Sequence, residues 1–390
     1  MLTVFENGKL FWEGEFRQDQ DLILQDGIIA GVAPAGEVTG DKKIPAKGLM
    51  ILPGLIDLQI NGCGGVTYND SPCIDTLEKM RLTQLRSGTT TFMPTLVTCS
   101  RDLMITALQE MREYHKLYGS SSIPGIHLEG PFISPEKSGI HDKRFIRNMT
   151  EEDLKLLLEY RQEIGLITAS PECLTSEQLT ALKNAGIPLS AGHSNLSYDQ
   201  SRDSLARYFT CTTHLFNAMT CIKNAREPGI MVAAQELNLF AGIIADACHV
   251  HPALVKMAYK LFKDHLFLVT DALASAGAPP DFSEFFFCGK KLQVRAEGYC
   301  SDHQGTLGGS SLTMNRGIRL LNEEMDISLQ DAILMASAIP AKAAHLADHG
   351  TLRSGARGDF FLCRSDLHPV MTYCCGELVY TANPELTPGP

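Results

Sequence analysis

Four short segments of this chain end a run of strand-forming residues with a side chain that can bind a metal or carry a proton. They are His127-Leu128-Glu129-Gly130-Pro131, Ser190-Ala191-Gly192-His193-Ser194, Thr213-His214-Leu215-Phe216-Asn217 and Leu268-Val269-Thr270-Asp271-Ala272. The four polar residues lie roughly 20 to 65 residues apart, too far for a zinc finger or a single-helix zinc motif. Such side chains meet where the C-terminal ends of many strands converge, as they do in a (β/α)8 barrel.

The middle of the chain alternates strand-like apolar runs with stretches of helical period. Eight runs are predicted as strands, over residues 55–60, 89–96, 125–129, 165–169, 188–191, 209–213, 239–245 and 266–270. Helices are predicted between them, for example over 74–86, 101–118, 151–161 and 176–184. Eight strands separated mostly by helices favour a closed parallel barrel over an open sheet.

Residues 282–307 break this alternation. Phe285-Phe286-Phe287, Lys291-Leu292-Gln293-Val294 and Glu297-Gly298-Tyr299-Cys300 predict a β-excursion after the eighth strand. The following Gly308-Gly309-Ser310-Ser311 is expected to restart the helices, with Ser310 or Ser311 as an N-cap.

The two ends of the chain read as short strands separated by Gly and Asp turns. Asp26-Gly27 between two apolar runs predicts a hairpin. We expect both ends to pair into one small β-sandwich, with two unrelated edge hairpins as the alternative. The predicted fold is therefore α/β, a TIM-like barrel over residues 53–345 with a β-sandwich built from residues 1–52 and 346–390.

Composition excludes several classes of protein. Of the 390 residues, 44% are hydrophobic and 20% charged, as in ordinary globular proteins. The net charge of -11 argues against a general nucleic-acid binder, and no stretch approaches the roughly 20 apolar residues that span a bilayer. The first residues lack a basic, signal-like region, so a cytoplasmic location is expected. The twelve cysteines form no C-x-x-C pair and are predicted to be reduced and without a catalytic role.

The strand-end residues predict a metal-dependent hydrolase when they are taken together. Alone, Glu129 could cap a helix or form a salt bridge, and a strand-end histidine such as His193 or His214 is more often a core residue. A Glu-His-His set with an open fourth position, however, is a catalytic zinc arrangement. Asp271 could cap a turn, but beside such a metal it is a candidate general base.

Two further segments bear on metals and ligands. His249-Val250-His251 looks like a metal-binding H-x-H, but it lies so late in the barrel that a substrate contact is an equally good interpretation. The first strand ends in Gln59-Ile60-Asn61, and amides are poor transition-metal ligands, so one strong metal site is expected. The guanidinium of Arg226 can donate two hydrogen bonds to a phosphate or carboxylate. The alternative is that Arg226 is a solvated surface residue.

These segments, in this order, resemble the N-acetylglucosamine-6-phosphate deacetylases, a family of the amidohydrolase superfamily. The likeness runs almost end to end, and Gln-x-Asn on the first strand joined to His-Leu-Glu-Gly-Pro is specific to this family. The matching segments are 53–65, 127–132, 139–141, 191–194, 213–219, 226–229, 245–249, 269–272 and 308–312.

The resemblance implies a role for each site residue. Glu129, His193 and His214 would bind one divalent metal, expected to be Zn²⁺ with Fe²⁺, Mn²⁺ or Co²⁺ as alternatives. Asp271 would take a proton from the attacking water and deliver it to the leaving amine, and His141 would help to polarise the acetamide carbonyl. The implied substrate contacts are Asn217, Ala218 and Arg226 at the 6-phosphate, His249 at a sugar hydroxyl or the phosphate, and His141, Gln59, Asn61 and Leu307.

The function implied is hydrolysis of N-acetyl-D-glucosamine 6-phosphate to D-glucosamine 6-phosphate and acetate, in amino-sugar catabolism and recycling. The expected partner is a second copy of the chain, or a dimer of dimers, with Arg226 reaching across the interface; no nucleic acid or membrane is expected. One alternative is another amidohydrolase, acting on a cyclic amide or on the galactosamine isomer. The other is a non-catalytic metal- or sugar-binding barrel. Arg226 argues against cyclic amides, and an intact Asp271 argues against a mere binding protein.

Overall fold

The computed structural model describes residues 1–383, which form two compact units. One unit comprises Met1–Asp57, Arg81–Thr91 and the chain from Thr313 onward, and the other comprises Leu58–Met80 and Phe92–Leu312. The predicted domain limits at residues 52/53 and 345/346 stay predictions, and residues 384–390 of the last predicted segment lie outside the described residues.

The secondary structure agrees closely with the sequence pattern. The strands are β1 (Leu2–Trp12), β2 (Glu15–Gln25), β3 (Ile28–Pro34), β4 (Lys42–Pro45), β5 (Met50–Pro53), β6 (Leu55–Ile60), β7 (Gly62–Cys63), β8 (Val66–Thr67), β9 (Thr89–Val97), β10 (Ile126–Glu129), β11 (Ile164–Ala169), β12 (Leu189–Ala191), β13 (Cys211–Thr212), β14 (Phe240–Ile244), β15 (Leu266–Val269), β16 (Glu284–Phe287), β17 (Lys290–Val294), β18 (Tyr299–Ser301), β19 (Leu307–Ser310), β20 (Phe360–Cys363), β21 (Pro369–Cys374) and β22 (Glu377–Thr381). The helices are α1 (Ile74–Leu85), α2 (Arg101–Tyr118), α3 (Glu151–Glu159), α4 (Ser176–Asn184), α5 (Tyr198–Tyr208), α6 (Gly229–Glu236), α7 (Pro252–Phe262), α8 (Met314–Glu323), α9 (Leu329–Met335) and α10 (Ala338–Ala343).

Eight strands form a nearly closed parallel barrel, which confirms the predicted fold. Their order in the sheet is β6-β9-β10-β11-β12-β13-β14-β15. A bridge between Ile60 and Ala272 joins the two ends of this sheet, and the Asp271 amide donates to the Gln59 carbonyl at 3.0 Å. Every residue of β6 and β9 is buried, as expected for parallel strands covered on both faces. Each predicted barrel strand is present, with its ends within two residues of the prediction.

A layer of polar side chains fills the barrel beneath its C-terminal end. His127 contacts the hydroxyls of Thr95 at 3.3 Å and Thr168 at 2.7 Å. Thr168 in turn contacts Thr213 at 2.5 Å, and Thr213 contacts Ser190 at 2.6 Å. Burial lowers the pKa of His127 to about 4, so its imidazole is neutral at pH 7. This network ties neighbouring strands together through their inward-facing side chains.

The excursion predicted after the eighth barrel strand is present as the antiparallel sheet β16-β17-β18-β19. The predicted helix start at Ser310 or Ser311 is wrong, because Ser310 ends β19 and α8 begins after Thr313. The glycines serve close packing instead. A Cβ on Gly309 would lie 2.6 Å from the Asp271 carbonyl oxygen, so the chain can pass this point only without a side chain.

Strands from both ends of the chain share one eight-stranded sheet. Its order is β22-β21-β20-β5-β1-β2-β3, with β4 added to β1. The antiparallel pair β5–β20 joins the N-terminal strands to the C-terminal ones, so the alternative of two unrelated hairpins is wrong. Asp26 and Gly27 both have positive φ and connect β2 to β3 in the predicted hairpin. An apolar cluster that includes Phe5, Phe360 and Tyr373 fills this unit.

No helix among residues 1–383 is both long enough and apolar enough to cross a lipid bilayer.

Candidate active site

Three buried side chains converge at the C-terminal end of the barrel. Glu129 is the last residue of β10, and His193 and His214 each follow the end of a strand, β12 and β13, by two residues. The Nε2 atoms of both histidines lie 3.0 Å from Glu129 Oε1 and 3.1 Å from each other. Donor atoms each about 2.1 Å from a zinc ion stand roughly 3 to 3.4 Å apart, so the triangle fits one divalent metal.

The orientation of His193 supports this use of its Nε2 atom. Its Nδ1–H donates to the Lys137 carbonyl at 2.7 Å, which leaves the Nε2 lone pair facing Glu129 and His214. Nδ1 of His214 is buried without a hydrogen-bond partner in the described chain. Both histidines have positive φ, at 50° and 28°. Non-glycine residues rarely adopt this backbone conformation, and those that do are concentrated at functional sites.

Glu129 and the two histidines shift each other's pKa values. Burial by itself would raise the pKa of Glu129, but its close contacts with the His193 and His214 rings outweigh burial and keep the pKa well below the usual range. Burial would likewise lower the pKa of His214, but the hydrogen bond and charge of Glu129 raise it. Glu129 is therefore a carboxylate that attracts a positive charge to this point.

Asp271 faces the same space from the end of β15. Asn61 Nδ2 donates to Asp271 Oδ1 at 2.7 Å, and Gln59 Nε2 donates to the same oxygen at 3.3 Å. Burial, followed by the charge of Glu129, raises the pKa of Asp271 to about 7. The side-chain amides of Gln59 and Asn61 thus orient a carboxylate whose pKa suits proton transfer near neutral pH.

His141 lies beside the cluster of Glu129, His193 and His214. Its ring centroid is 4.5 Å from that of His193, and its Nδ1 is 2.7 Å from Thr98 Oγ1. Burial, followed by the charge of His193, lowers the pKa of His141 to about 3, so the ring is neutral at pH 7. Sequence reasoning missed Thr98, although its place just after a predicted strand was a signal.

A cavity of about 260 Å³ opens over these residues. It brings together most of the predicted site, namely Asn61, Glu129, His141, His193, His214, Asn217, Ala218, His249, Asp271 and Leu307. Residues that were not predicted also line it: Val97, Gly139, Ile140, Phe287, Thr306, Gly308 and Gly309. Gln59 reaches the site through Asp271. Arg226 is exposed and does not line the cavity of its own chain.

The two histidines of the H-x-H segment have different surroundings. His249 Nδ1 bonds to Asp246 Oδ2 at 2.6 Å, and its Nε2 is buried with no partner among residues 1–383. His251 is exposed, and its ring accepts a hydrogen bond from the Ala253 amide at the start of α7. The segment therefore contributes one histidine to the cavity. Sequence reasoning gave Asp246 no role, although the D-x-x-H spacing was available.

Comparisons with known proteins show which family and fold this chain shares. Residues 50–379 match the model of the Amidohydrolase family. The chain is 37% identical over 351 residues to the N-acetylglucosamine-6-phosphate deacetylase of Haemophilus influenzae, covering 90% of this chain and 92% of that protein. It is 34% identical over 390 residues to the N-acetylgalactosamine-6-phosphate deacetylase of a Shewanella strain, covering 98% and 97%. The crystal structure of the N-acetylglucosamine-6-phosphate deacetylase from Pasteurella multocida superimposes with a TM-score of 0.94 at 33% identity, covering 97% of this chain and 99% of that one.

Proposed function

The chain belongs to the amidohydrolase family, and from that premise we propose that it hydrolyses the acetamide of N-acetyl-D-glucosamine 6-phosphate. The products are D-glucosamine 6-phosphate and acetate. The observation that carries the proposal is the meeting of Glu129, His193, His214 and Asp271 in one buried cavity, the residue set needed for metal-assisted amide hydrolysis.

The residues divide the reaction between them. Water adds to the acetamide carbonyl carbon, the C–N bond breaks, and the nitrogen leaves as an amine after taking up a proton. Asp271 accepts the proton of the attacking water and returns it to the leaving nitrogen, so it ends the cycle as it began. Neutral His141 lines the same cavity, and its proposed role is to hydrogen-bond the carbonyl oxygen. A divalent metal held by Glu129, His193 and His214 would polarise that carbonyl and make water more acidic.

Amidohydrolases depend on metals, and the finer proposal is one zinc ion per chain, with Fe²⁺, Mn²⁺ or Co²⁺ as alternatives. Two imidazole nitrogens and one carboxylate oxygen form a donor set that zinc favours. A second strong site is not expected, because Gln59 and Asn61 donate to Asp271. Metal analysis should give one firmly held ion per chain, and two such ions would contradict this.

The remaining contacts are proposed for the amino-sugar phosphate. Asn217, Ala218 and His249 line one side of the cavity, and the buried, unpartnered Nε2 of His249 needs a polar ligand to complete it. Asn61 and Leu307 line the same cavity, and Gln59 supports it through Asp271.

Arg226 is proposed to read the 6-phosphate in a neighbouring copy of the chain, in a homodimer or a dimer of dimers. Its exposure and its place outside its own cavity support this arrangement. An Arg–phosphate contact is worth about 1.5 to 3 kcal/mol, so Arg226→Ala should lower kcat/KM for the phosphorylated sugar about 10- to 150-fold. The unphosphorylated sugar should be little affected.

Mixed oligomers test whether the site is shared. Hybrids of Arg226→Ala and Asp271→Asn chains should regain activity, since one of their two sites has both the aspartate and the borrowed arginine. If subunits exchange and activity does not return, Arg226 does not serve a neighbour's site.

Acetate release tests the function directly. The metal-loaded enzyme is assayed with N-acetylglucosamine and N-acetylgalactosamine, each with and without a 6-phosphate. We expect turnover of the 6-phosphates, with the gluco epimer preferred; the Shewanella relative makes the galacto epimer the second candidate. No acetate from either 6-phosphate would overturn the proposal. A cytoplasmic location and a role in amino-sugar catabolism and recycling stay predictions.

A further inference from the structure

One side of the cavity is apolar and belongs to a small hydrophobic cluster. Val97, Ile140 and Phe287 line the cavity and have exposed fractions of 2%, 7% and 0%. The same cluster also contains the fully buried residues Leu273, Leu292 and Cys300, which do not line the cavity. We refer to Val97, Ile140 and Phe287 as the apolar wall. None of them is needed for the chemistry proposed above.

The order of strands in the barrel places this wall opposite the polar contacts. Val97 ends β9, the second strand of the ring, while Asn217 and Ala218 follow β13, the sixth. In a closed ring of eight strands the second and sixth lie across from each other. His249 follows β14, the seventh strand, and so belongs to the same side as Asn217. Glu129 ends β10 beside Val97, and His214 follows β13 as Asn217 does, so the three residues Glu129, His193 and His214 span the arc from the apolar to the polar side.

We propose that the apolar wall is the acyl pocket of the enzyme and restricts it to the acetyl group. The inference rests on the proposed function and defines its substrate more narrowly. The amide carbon carries the sugar nitrogen on one side and the methyl group on the other. When the hydroxyls and phosphate occupy the side of Asn217 and His249, the methyl group faces Val97, Ile140 and Phe287. His141, the proposed contact of the carbonyl oxygen, follows Ile140 directly in the chain.

The packing of the wall explains why a longer acyl chain is excluded. An extra methylene must displace side chains that already pack in one buried cluster with Leu273 and Leu292, and close-packed interiors resist such insertion. A single methylene in an apolar pocket changes kcat/KM by about 10- to 200-fold. The unmodified enzyme should therefore prefer N-acetyl over N-propionyl glucosamine 6-phosphate by at least about tenfold.

The test measures the ratio of kcat/KM for N-propionyl to that for N-acetyl glucosamine 6-phosphate in one enzyme sample. Both substrates release the same amino sugar, and the ratio does not depend on how much of the sample is folded. Val97→Ala and Phe287→Leu should each raise the ratio about tenfold or more, because each removes volume from the wall. Val255→Ala is the matched control: Val255 is fully buried in α7 away from the cavity, so its ratio should not change.

A variant that makes the apolar wall larger tests whether the changed ratio comes from the volume of the pocket or from a general loosening of the site. Val97→Leu adds volume to the wall, so it should lower kcat/KM for the N-acetyl substrate more than for its N-formyl analogue. If the unmodified enzyme hydrolyses none of these compounds, the proposed function fails. If it is active but neither enlarging variant changes the ratio, or Val255→Ala changes it equally, the acyl-pocket proposal fails and the proposed function stands.

Discussion

Two buried carboxylates of the barrel unit, Asp153 and Glu129, have the same degree of burial but different surroundings. Asp153, in the first turn of α3, is 1% exposed and accepts hydrogen bonds from Arg101 at 3.0 Å and Arg147 at 2.9 Å. The amide and hydroxyl of Thr150 add bonds of 3.1 and 3.0 Å in a capping box. Two permanent cations and a helix N-terminus thus neutralise this acid within the protein.

Glu129 is 2% exposed, but the polar groups around it are not all paired with one another. It contacts two imidazoles whose Nε2 atoms face each other at 3.1 Å. In the described part of the chain, Asn61 Oδ1, His214 Nδ1 and His249 Nε2 are buried around the cavity without hydrogen-bond partners. Buried polar groups are normally satisfied, so these atoms fit a site that a metal and a polar ligand would complete. A buried carboxylate therefore marks a binding site when its neighbours direct their donor atoms at one shared point. It does not when cations of the protein neutralise its charge, as at Asp153.

The largest effect is expected from removing one proposed metal ligand from the set Glu129, His193 and His214. His193→Ala should lose most of the bound metal, and the activity with it, because two donors hold a divalent ion far less firmly than three. Metal content measured beside turnover checks this. His251→Ala, which changes the exposed histidine at α7, should keep the metal. Retention of a full complement by His193→Ala would contradict the ligand assignment.

Asp271→Asn should lower kcat about 10²- to 10⁴-fold, because the amide cannot accept the water proton. The side chain is nearly isosteric, so metal content and melting temperature should stay close to those of the parent. Steady-state kinetics and thermal unfolding of the same preparation check both halves of the expectation. Activity near that of the parent would mean that another residue is the base.

Asp153→Asn should act on stability and leave turnover unchanged. The variant removes the charge that pairs with Arg101 and Arg147, whose side chains are 38% and 27% exposed. Losing hydrogen bonds to a charged group costs about 1.5 to 3 kcal/mol. Urea unfolding measures the loss. Asp102→Asn, an exposed acid in the first turn of α2, is the control and should change the free energy of unfolding by about 0.5 kcal/mol or less. A large loss of kcat in folded Asp153→Asn would show that Asp153 also supports turnover, which contradicts its assignment to stability alone.

The smallest effect concerns acid pH. Burial by itself would raise the pKa of Asp153, but the hydrogen bond from Arg147 and the bonds from Thr150 outweigh it, so the folded-state pKa lies below its usual value of about 3.9. Stability from this group is therefore present above the unfolded-state pKa and is lost as the pH falls through the folded-state pKa. The difference in unfolding free energy between parent and Asp153→Asn should narrow as urea titrations move from pH 6 toward acid. A constant difference would show that the charge of Asp153 is not what stabilises α3.

Much of this arrangement was predictable because it depends on local chemistry. Strand and helix limits follow from hydrophobic period, and α2 and α4 have the predicted bounds. The proposed metal ligands Glu129, His193 and His214 were identifiable because the parallel strands of a barrel all end at one rim. Ser310 was misassigned because its Gly-Gly-Ser context suits a helix start, whereas the close approach to Asp271 makes it a strand.

The side chains that reach the C-terminal rim of the barrel follow from the local sequence, since the end of each strand is set by its own residues. The partners of those side chains depend on the folded arrangement. Asn61 and Asp271 are 210 residues apart, and Thr98 and His141 are 43 apart, yet both pairs form hydrogen bonds of 2.7 Å. The same holds for the apolar wall, whose members come from β9, from the chain after β10 and from β16. Local propensity cannot specify such pairs, because the closing of the barrel sets the distances between segments far apart in the chain.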